Sequence, residues 1–279
     1  MKHVVIAYHA ASLDGFTGAW AFWHYWRNTH TLTTIAATQK SLEPEVKDAE
    51  VYMVGFVYAR GCVRRLLANG CTVYMVGNHR SAEVDLNGLP VTYLGGVDES
   101  AGEMAFDYVA PDEVESPLLL QYIADAHLYL HAMPNSREVR ASLDSEPKTF
   151  ENWDRLMSLT ETDPVLQSMI ARGEIVCQVR SRMARNIINA TKRRIRINNT
   201  NILVANCPAS LASDVANQLS DMEPYAMVYY DTRTGRHFEL RSHRTKGVDV
   251  MPIARMFGGG GHTHAAGFIV PRAHWLARI

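Results

Sequence analysis

Short apolar runs and longer amphipathic stretches alternate along the first half of the chain. Val4–Tyr8, Val51–Val54 and Thr72–Val76 are brief, β-branched and bounded by polar or glycine-containing segments, so each reads as a buried strand. Between and after them Thr17–Trp26 and Ala59–Ala68 predict helices. Strands separated by helices at this spacing predict βαβ units and a mainly parallel sheet. The sequence Val-Tyr-Met-Val-Gly occurs at both 51 and 73, as two parallel strands of one sheet would explain. Leu118–Leu128 is a further apolar helical stretch, and 163–190 reads as one long helix with Pro164 near its start.

The pattern then changes. Asn201–Asn206 reads as a strand and Ser210–Ser220 as a helix. Ala226–Tyr230 and His237–Ser242 form a hairpin around Asp231–Gly235, and Val250–Phe257 is a helix that runs into four glycines. The expectation is an α/β protein in which a mainly parallel sheet is flanked by helices. A second, smaller α/β domain carries the glycine-rich loop. The boundaries read as 1–160, a helical linker over 161–194, and 195–279, with a cleft between the two domains.

Composition narrows this picture little. The 279 residues suffice for two medium domains, and 47% hydrophobic with 20% charged residues is ordinary for a globular chain. No apolar run approaches the ~20 residues of a membrane helix, and the opening Met1–Tyr8 turns polar too soon for a signal peptide. A cytoplasmic protein that does not engage membranes is expected. The formal net charge of −1 argues against coating nucleic acid by bulk charge. Cys62, Cys71, Cys177 and Cys207 are scattered without C-x-x-C spacing, which predicts reduced thiols and no zinc site.

The candidate chemistry centres on Phe257-Gly258-Gly259-Gly260-Gly261-His262-Thr263-His264-Ala265-Ala266-Gly267-Phe268. Four glycines can turn their amides toward an anion as a nest, and His262 and His264 can hydrogen-bond a phosphate or a base. A flexible hinge is the alternative, but a linker needs no small-residue packing code after it. Upstream, His9 and Asp14 lie in the loop after the first strand, where an open α/β sheet presents ligands. By residue type alone His9 is a loop histidine and Asp14 a helix-capping acid. Arg180, Arg182, Arg185, Lys192, Arg193, Arg194 and Arg196 form a basic stretch suited to phosphates or to a solvated face.

The glycine stretch resembles the GGGH-x-x-AAG signature of the C-terminal, DHH-associated domain of the DHH phosphoesterase family, which includes RecJ-type exonucleases and enzymes that degrade very short oligonucleotides. The likeness extends along nearly the whole chain. His9, Asp14 and Gly15 match the first motif, with Ser12 where the family has an acid or a cysteine. Val54-Gly55-Phe56-Val57-Tyr58 stands at V-D-F-S-Y, and Gly77-Asn78-His79-Arg80-Ser81-Ala82 stands at D-H-H-K-S/T-A. Val97–Gly102 resembles E/D-x-S-G-A, with Glu99 or Ser100 to cap the helix it begins. Asp125 matches the last metal-binding acid, while His127 replaces a second acid. Arg241 and Ser242 match a strand that flanks the glycine loop and helps to hold substrate.

The resemblance implies catalytic roles for Asp14, His79 and Asp125. It implies metal binding by His9, Asp14, His79 and Asp125. It implies substrate binding by Arg241, Ser242, Gly258, Gly259, Gly260, Gly261, His262 and His264. Hydrolysis at two metals needs acids that bridge the ions, and glycine now holds the bridging place at 55. Two carboxylates cannot neutralise two divalent ions, so Mn²⁺ or Mg²⁺ would bind as a weak single ion or not at all, unless Asp98 or Glu99 contributes.

One expectation is therefore a protein that binds a nucleotide, a short oligonucleotide or a cyclic dinucleotide with lost or reduced hydrolysis. The alternative is an active metal-dependent phosphodiesterase or oligonucleotide exonuclease that uses a rearranged or single-metal site. A third reading is a scaffold that binds a protein partner through Trp20, Phe22, Trp23 and Trp26, and a homodimer is compatible with all three.

Overall fold

Five parallel strands, each buried or at an edge as its composition dictates, form the first sheet. The computed structural model describes residues 3–38, 40–78, 85–96, 99–197, 200–243, 245 and 247–278. Two compact units divide the chain, Met1–Glu174 and Ile175–Ile279.

In the first unit β1 (His3–His9), β2 (Thr31–Ala37), β3 (Glu50–Val54), β4 (Thr72–Val76) and β5 (Val91–Leu94) run parallel in the order β2-β1-β3-β4-β5. The duplicated sequence pairs with itself in register, Val51 with Val73 through Val54 with Val76, and the Tyr52 and Tyr74 rings stack at 4.4 Å. Alternation divides the interior into two layers. Val4, Ile6, Tyr52, Val54 and Val76 pack under α1 (Leu13–Trp26), α3 (Ala101–Val109), α4 (Leu118–His127) and α6 (Phe150–Met157). Val5, Ala7, Val51, Met53, Val73 and Met75 face the layer of α2 (Arg60–Ala68). The chain leaves β1 in one direction toward β2 and then, after crossing, in the other toward β3. The crevice beyond the carboxyl ends of β1 and β3 is thus a topological switch point, where open α/β sheets hold ligands.

Two strands were not legible in the pattern. β2 is a mostly exposed edge strand rich in threonine, and β5 has only four residues. Helix α1 also begins at Leu13 rather than near Thr17, because Ser12 caps it by accepting from the Gly15 amide at 3.0 Å. Two helices between 130 and 160, α5 (Ser136–Leu143) and α6, were likewise unread.

The second unit begins within α7 (Pro164–Thr191). Its sheet has the order β10-β11-β9-β8-β7-β6, with β6 (Arg193–Ile197), β7 (Thr200–Asn206), β8 (Tyr225–Asp231), β9 (Arg236–Ser242), β10 (Gly260–His262) and β11 (Ala265–Val270). Only β7 and β8 are parallel, joined through α8 (Ala212–Ser220). One sheet face packs Leu203, Ala205, Ala226 and Val228 against Ala184 and Ile188 of α7 and Val215, Ala216 and Leu219 of α8. The other packs Val204, Met227, Phe238, Leu240 and Phe268 against Ala254 of α9 (Met251–Met256) and Leu276.

Candidate functional site

In the first unit His9 is the last residue of β1, and the loop after it delivers Asp14 into the first turn of α1. Asp14 is buried at 2% exposure, and its two carboxylate oxygens accept from the Ala101 and Gly102 amides at 2.9 and 2.8 Å. These are the first amides of α3, which helix geometry leaves without intrahelical partners. Asp14 is therefore a capping acid, as its residue type suggested, but for α3 rather than for its own helix. Ser100 and Glu103 complete that helix end as a reciprocal capping box. The His127 Nε2 lies 3.4 Å from Asp14, so the residue standing at a family acid here faces an acid instead.

Asp125, on α4, is also buried. One oxygen accepts from the Ala132 amide at 2.8 Å, while its Oδ2 has no hydrogen-bond partner among the described residues. Burial, together with the charge of His127, pushes the His9 imidazole below its usual range, against a raising backbone hydrogen bond, and its Nδ1 accepts from the Ala11 amide at 3.3 Å. A polar cavity of about 210 Å³ opens beside Asp14, with Ser12, His127 and Arg140 in its wall. Sequence reasoning passed over Arg140, which belongs to no motif.

Gly55 ends β3 with φ of +71°, a conformation that side chains rarely adopt, and a Cβ there would lie 3.2 Å from the Gly15 backbone. This backbone is built for glycine, so the place of the bridging acid is closed to one without local rearrangement. Glu99 is exposed. His79 and Asp98 lie outside the described residues. Among the described residues, no three His, Cys, Asp or Glu side chains converge as a metal set. The donors among the described residues do not make up a two-metal centre. Among the described residues, the Asp125 Oδ2 is a buried carboxylate oxygen that accepts no hydrogen bond.

In the second unit the glycine stretch is not a free loop. Gly258, with φ of +74°, closes α9, and the Gly258 and Gly259 amides bond back to the Arg255 and Ala254 carbonyls. Gly260–His262 then pairs with Ala265–Gly267 as a hairpin turning at Thr263–His264. The turn is fastened from both sides. The Val250 amide donates to the Thr263 carbonyl, and the Ser242 amide to the His264 carbonyl. The Ser242 hydroxyl lies 2.8 Å from the His264 Nδ1. Glycine patterns carry no side-chain periodicity, which is why a hairpin was not legible here.

The four glycines differ in their reasons. A Cβ on Gly259 or Gly261 would strike backbone atoms at 2.1 and 2.5 Å, and Gly261 also has φ of +143°. Gly260 has neither a left-handed φ nor any neighbour within 4 Å of an added Cβ. The fold gives no account of its lack of a side chain, and open space lies in front of it. His262 is exposed beside it. Arg241 is turned inward, donating to the Leu240 carbonyl, the Ser213 hydroxyl and Glu239. Ser242 and His264 thus meet at the hairpin, while the terminal nitrogens of Arg241 are taken up by Leu240, Ser213 and Glu239 and its buried Nε has no partner among the described residues.

No family model matches the chain. An uncharacterized protein of Acanthamoeba polyphaga mimivirus is 23% identical over 285 residues, which cover 94% of this chain and 66% of that protein. The chain thus spans just under two thirds of that relative's length. Among solved structures, the DHH domain of a member of the s1p family of ribosomal proteins matches with a TM-score of 0.60 at 11% identity, over 95% of this chain and 82% of that one. RecJ from Thermus thermophilus in complex with Mn²⁺ matches with a TM-score of 0.56 at 15% identity, over 99% of this chain and 50% of that one. The chain has the DHH fold.

Proposed function

We propose that the protein binds a nucleotide or short oligonucleotide through the glycine hairpin, and that two-metal phosphodiester hydrolysis is lost or strongly reduced. The observation that carries the reading is the different fate of the two sites. The acid that would ligate a metal, Asp14, is consumed in capping α3, whereas the hairpin keeps an unfilled face at Gly260 beside His262. A phosphate there would meet backbone with no side chain in its way and an imidazole donor beside it.

The orphaned Asp125 Oδ2 favours a second reading, in which one cation still binds and slow hydrolysis persists. Calorimetric titration with a 5′-phosphorylated dinucleotide, run with Mn²⁺ and with chelator, separates the two. The first reading expects the same affinity in both and no turnover. It also expects Gly260→Val to weaken binding at least ~10-fold, about 1.4 kcal/mol, while thermal stability holds. Turnover that requires Mn²⁺ would hand the site to the second reading. Unchanged affinity in Gly260→Val would remove the hairpin from the site.

A further inference from the structure

A sheet edge is a row of unpaired amides and carbonyls, open to any strand it meets unless it is short, charged or covered. Among the described residues, the four edges of the two sheets are treated differently. β5 has four residues and β10 three. β6 carries Arg193, Arg194 and Arg196 among its five residues. β2 is seven residues long, Thr-Leu-Thr-Thr-Ile-Ala-Ala, with neither a charge nor a proline. The ladder to β1 fixes which of its backbone groups face out. The Ala10 amide donates to the Ala37 carbonyl at 2.8 Å, so Ala37 faces β1, and by alternation Thr31, Thr33 and Ile35 do too. The amides and carbonyls of Leu32, Thr34 and Ala36 therefore point away from the sheet, and among the described residues no loop or turn bonds to them. Leu32 packs toward the α1 layer and Ile35 toward the α2 layer, while Thr31, Thr33, Thr34 and Ala36 are exposed, so neither layer covers the strand.

The outward groups are spaced evenly about Thr34, which makes this edge complementary to itself. A second copy running antiparallel sets Thr34 opposite Thr34 and Leu32 opposite Ala36, and the outward amides and carbonyls then meet as hydrogen-bonded pairs. On the other face Thr33 meets Ile35. No like charges face each other in any of these pairs, and two threonines at the axis suit a shared hydrogen bond. We propose that the first unit pairs with that of a second copy of this chain through β2, joining two five-stranded sheets into one about a twofold axis. Such a contact uses the same patch on both copies and closes at two. A strand pair alone buries less than the roughly 1,200 Å² of a standard interface, so the association is weak, with a micromolar dissociation constant. The inference is independent of what the glycine hairpin binds.

The test is sedimentation equilibrium of the full chain up to ~200 µM, with hydrogen exchange of the β2 amides followed at the two ends of the concentration range. Two variants accompany the parent. Thr34→Lys sets like charges against each other at the axis, on a side chain that is exposed in the single chain. Thr34→Pro removes an amide that the β1 ladder does not use. The expected result is a mass that rises from the 31.3 kDa of one chain toward twice that value. The amides of Leu32, Thr34 and Ala36 are expected to exchange at least ~10-fold more slowly at the upper concentration. Both variants are expected to weaken association at least ~10-fold, and Thr34→Lys to keep the thermal midpoint that the parent has when dilute. A chain that stays at the mass of one copy throughout overturns the proposal and leaves the edge to an extended segment of a different protein. A dimer that persists in Thr34→Lys, or whose three amides exchange as fast as in the dilute chain, overturns the choice of surface.

Discussion

At the scale of single residues the first unit turns on what Asp14 is for. A metal-binding carboxylate in an unfilled site is held near other acids, and its removal relieves repulsion. Asp14 instead accepts on both oxygens from the first two amides of α3, in a position shielded from water. Charge-assisted bonds of this kind contribute about 1.5–3 kcal/mol each, and a helix start adds favourable charge–dipole interaction. Asp14→Ala is therefore expected to destabilise the protein by about 3 kcal/mol, with the urea midpoint falling and the slope unchanged. A variant as stable as the parent would return Asp14 to the metal-ligand reading. The sequence showed this acid and its loop, since His9, Asp14 and Gly15 match a motif. It did not show the acid's partner, because the amides of Ala101 and Gly102 carry no side-chain signal and lie 87 and 88 residues away.

Among elements, the hairpin at 260–267 shows how far pattern reading extends. Three of the five parallel strands of the first sheet, β1, β3 and β4, were legible because they are β-branched and largely buried, and the repeat at 51 and 73 placed two of them in one sheet, where the structure pairs them in register. An exposed strand such as β2 presents threonines to water and looks like loop. A strand of glycines presents nothing at all. The structure separates glycines that the sequence could only count. Gly261→Ala forces a side chain into φ of +143° and against the Ala265 carbonyl, 2.5 Å from the added carbon. The expected cost is about 1–3 kcal/mol, read as a lower thermal midpoint by circular dichroism. Gly260→Ala meets nothing and is expected to stay within about 0.5 kcal/mol of the parent. Equal losses in the two variants would mean that the hairpin does not hold this conformation, and the argument for an open face at Gly260 would go with it.

For the whole molecule, the question is where the second folding unit begins. The hydrophobic pattern puts the start of a domain at 195, just past a long basic helix that looks like a connector. The structure gives the two ends of that helix different employment. Leu166 and Met169 are buried in the first unit's interior, whereas Ala184 and Ile188 are buried against β7, β8 and α8 in the second. Arg180 and Ser181 add an ion pair and a hydrogen bond to Asp214 and Gln218 of α8. A fragment over 195–279 loses all of these and leaves Leu203, Ala205 and Leu219 uncovered on that face. Burial of one Ile side chain is worth about 2–4 kcal/mol, a large part of the 5–15 kcal/mol that stabilises a typical domain. The fragment 175–279 is expected to unfold in urea as one cooperative transition with dispersed amide resonances. The fragment 195–279 is expected to bind a hydrophobic dye and show no sharp transition. Matching midpoints for the two would make the helix a true linker after all. Its basic row would then be free of any structural duty, and Arg182, Arg185 and Lys192 would sit on a tether rather than on the wall of a folded unit.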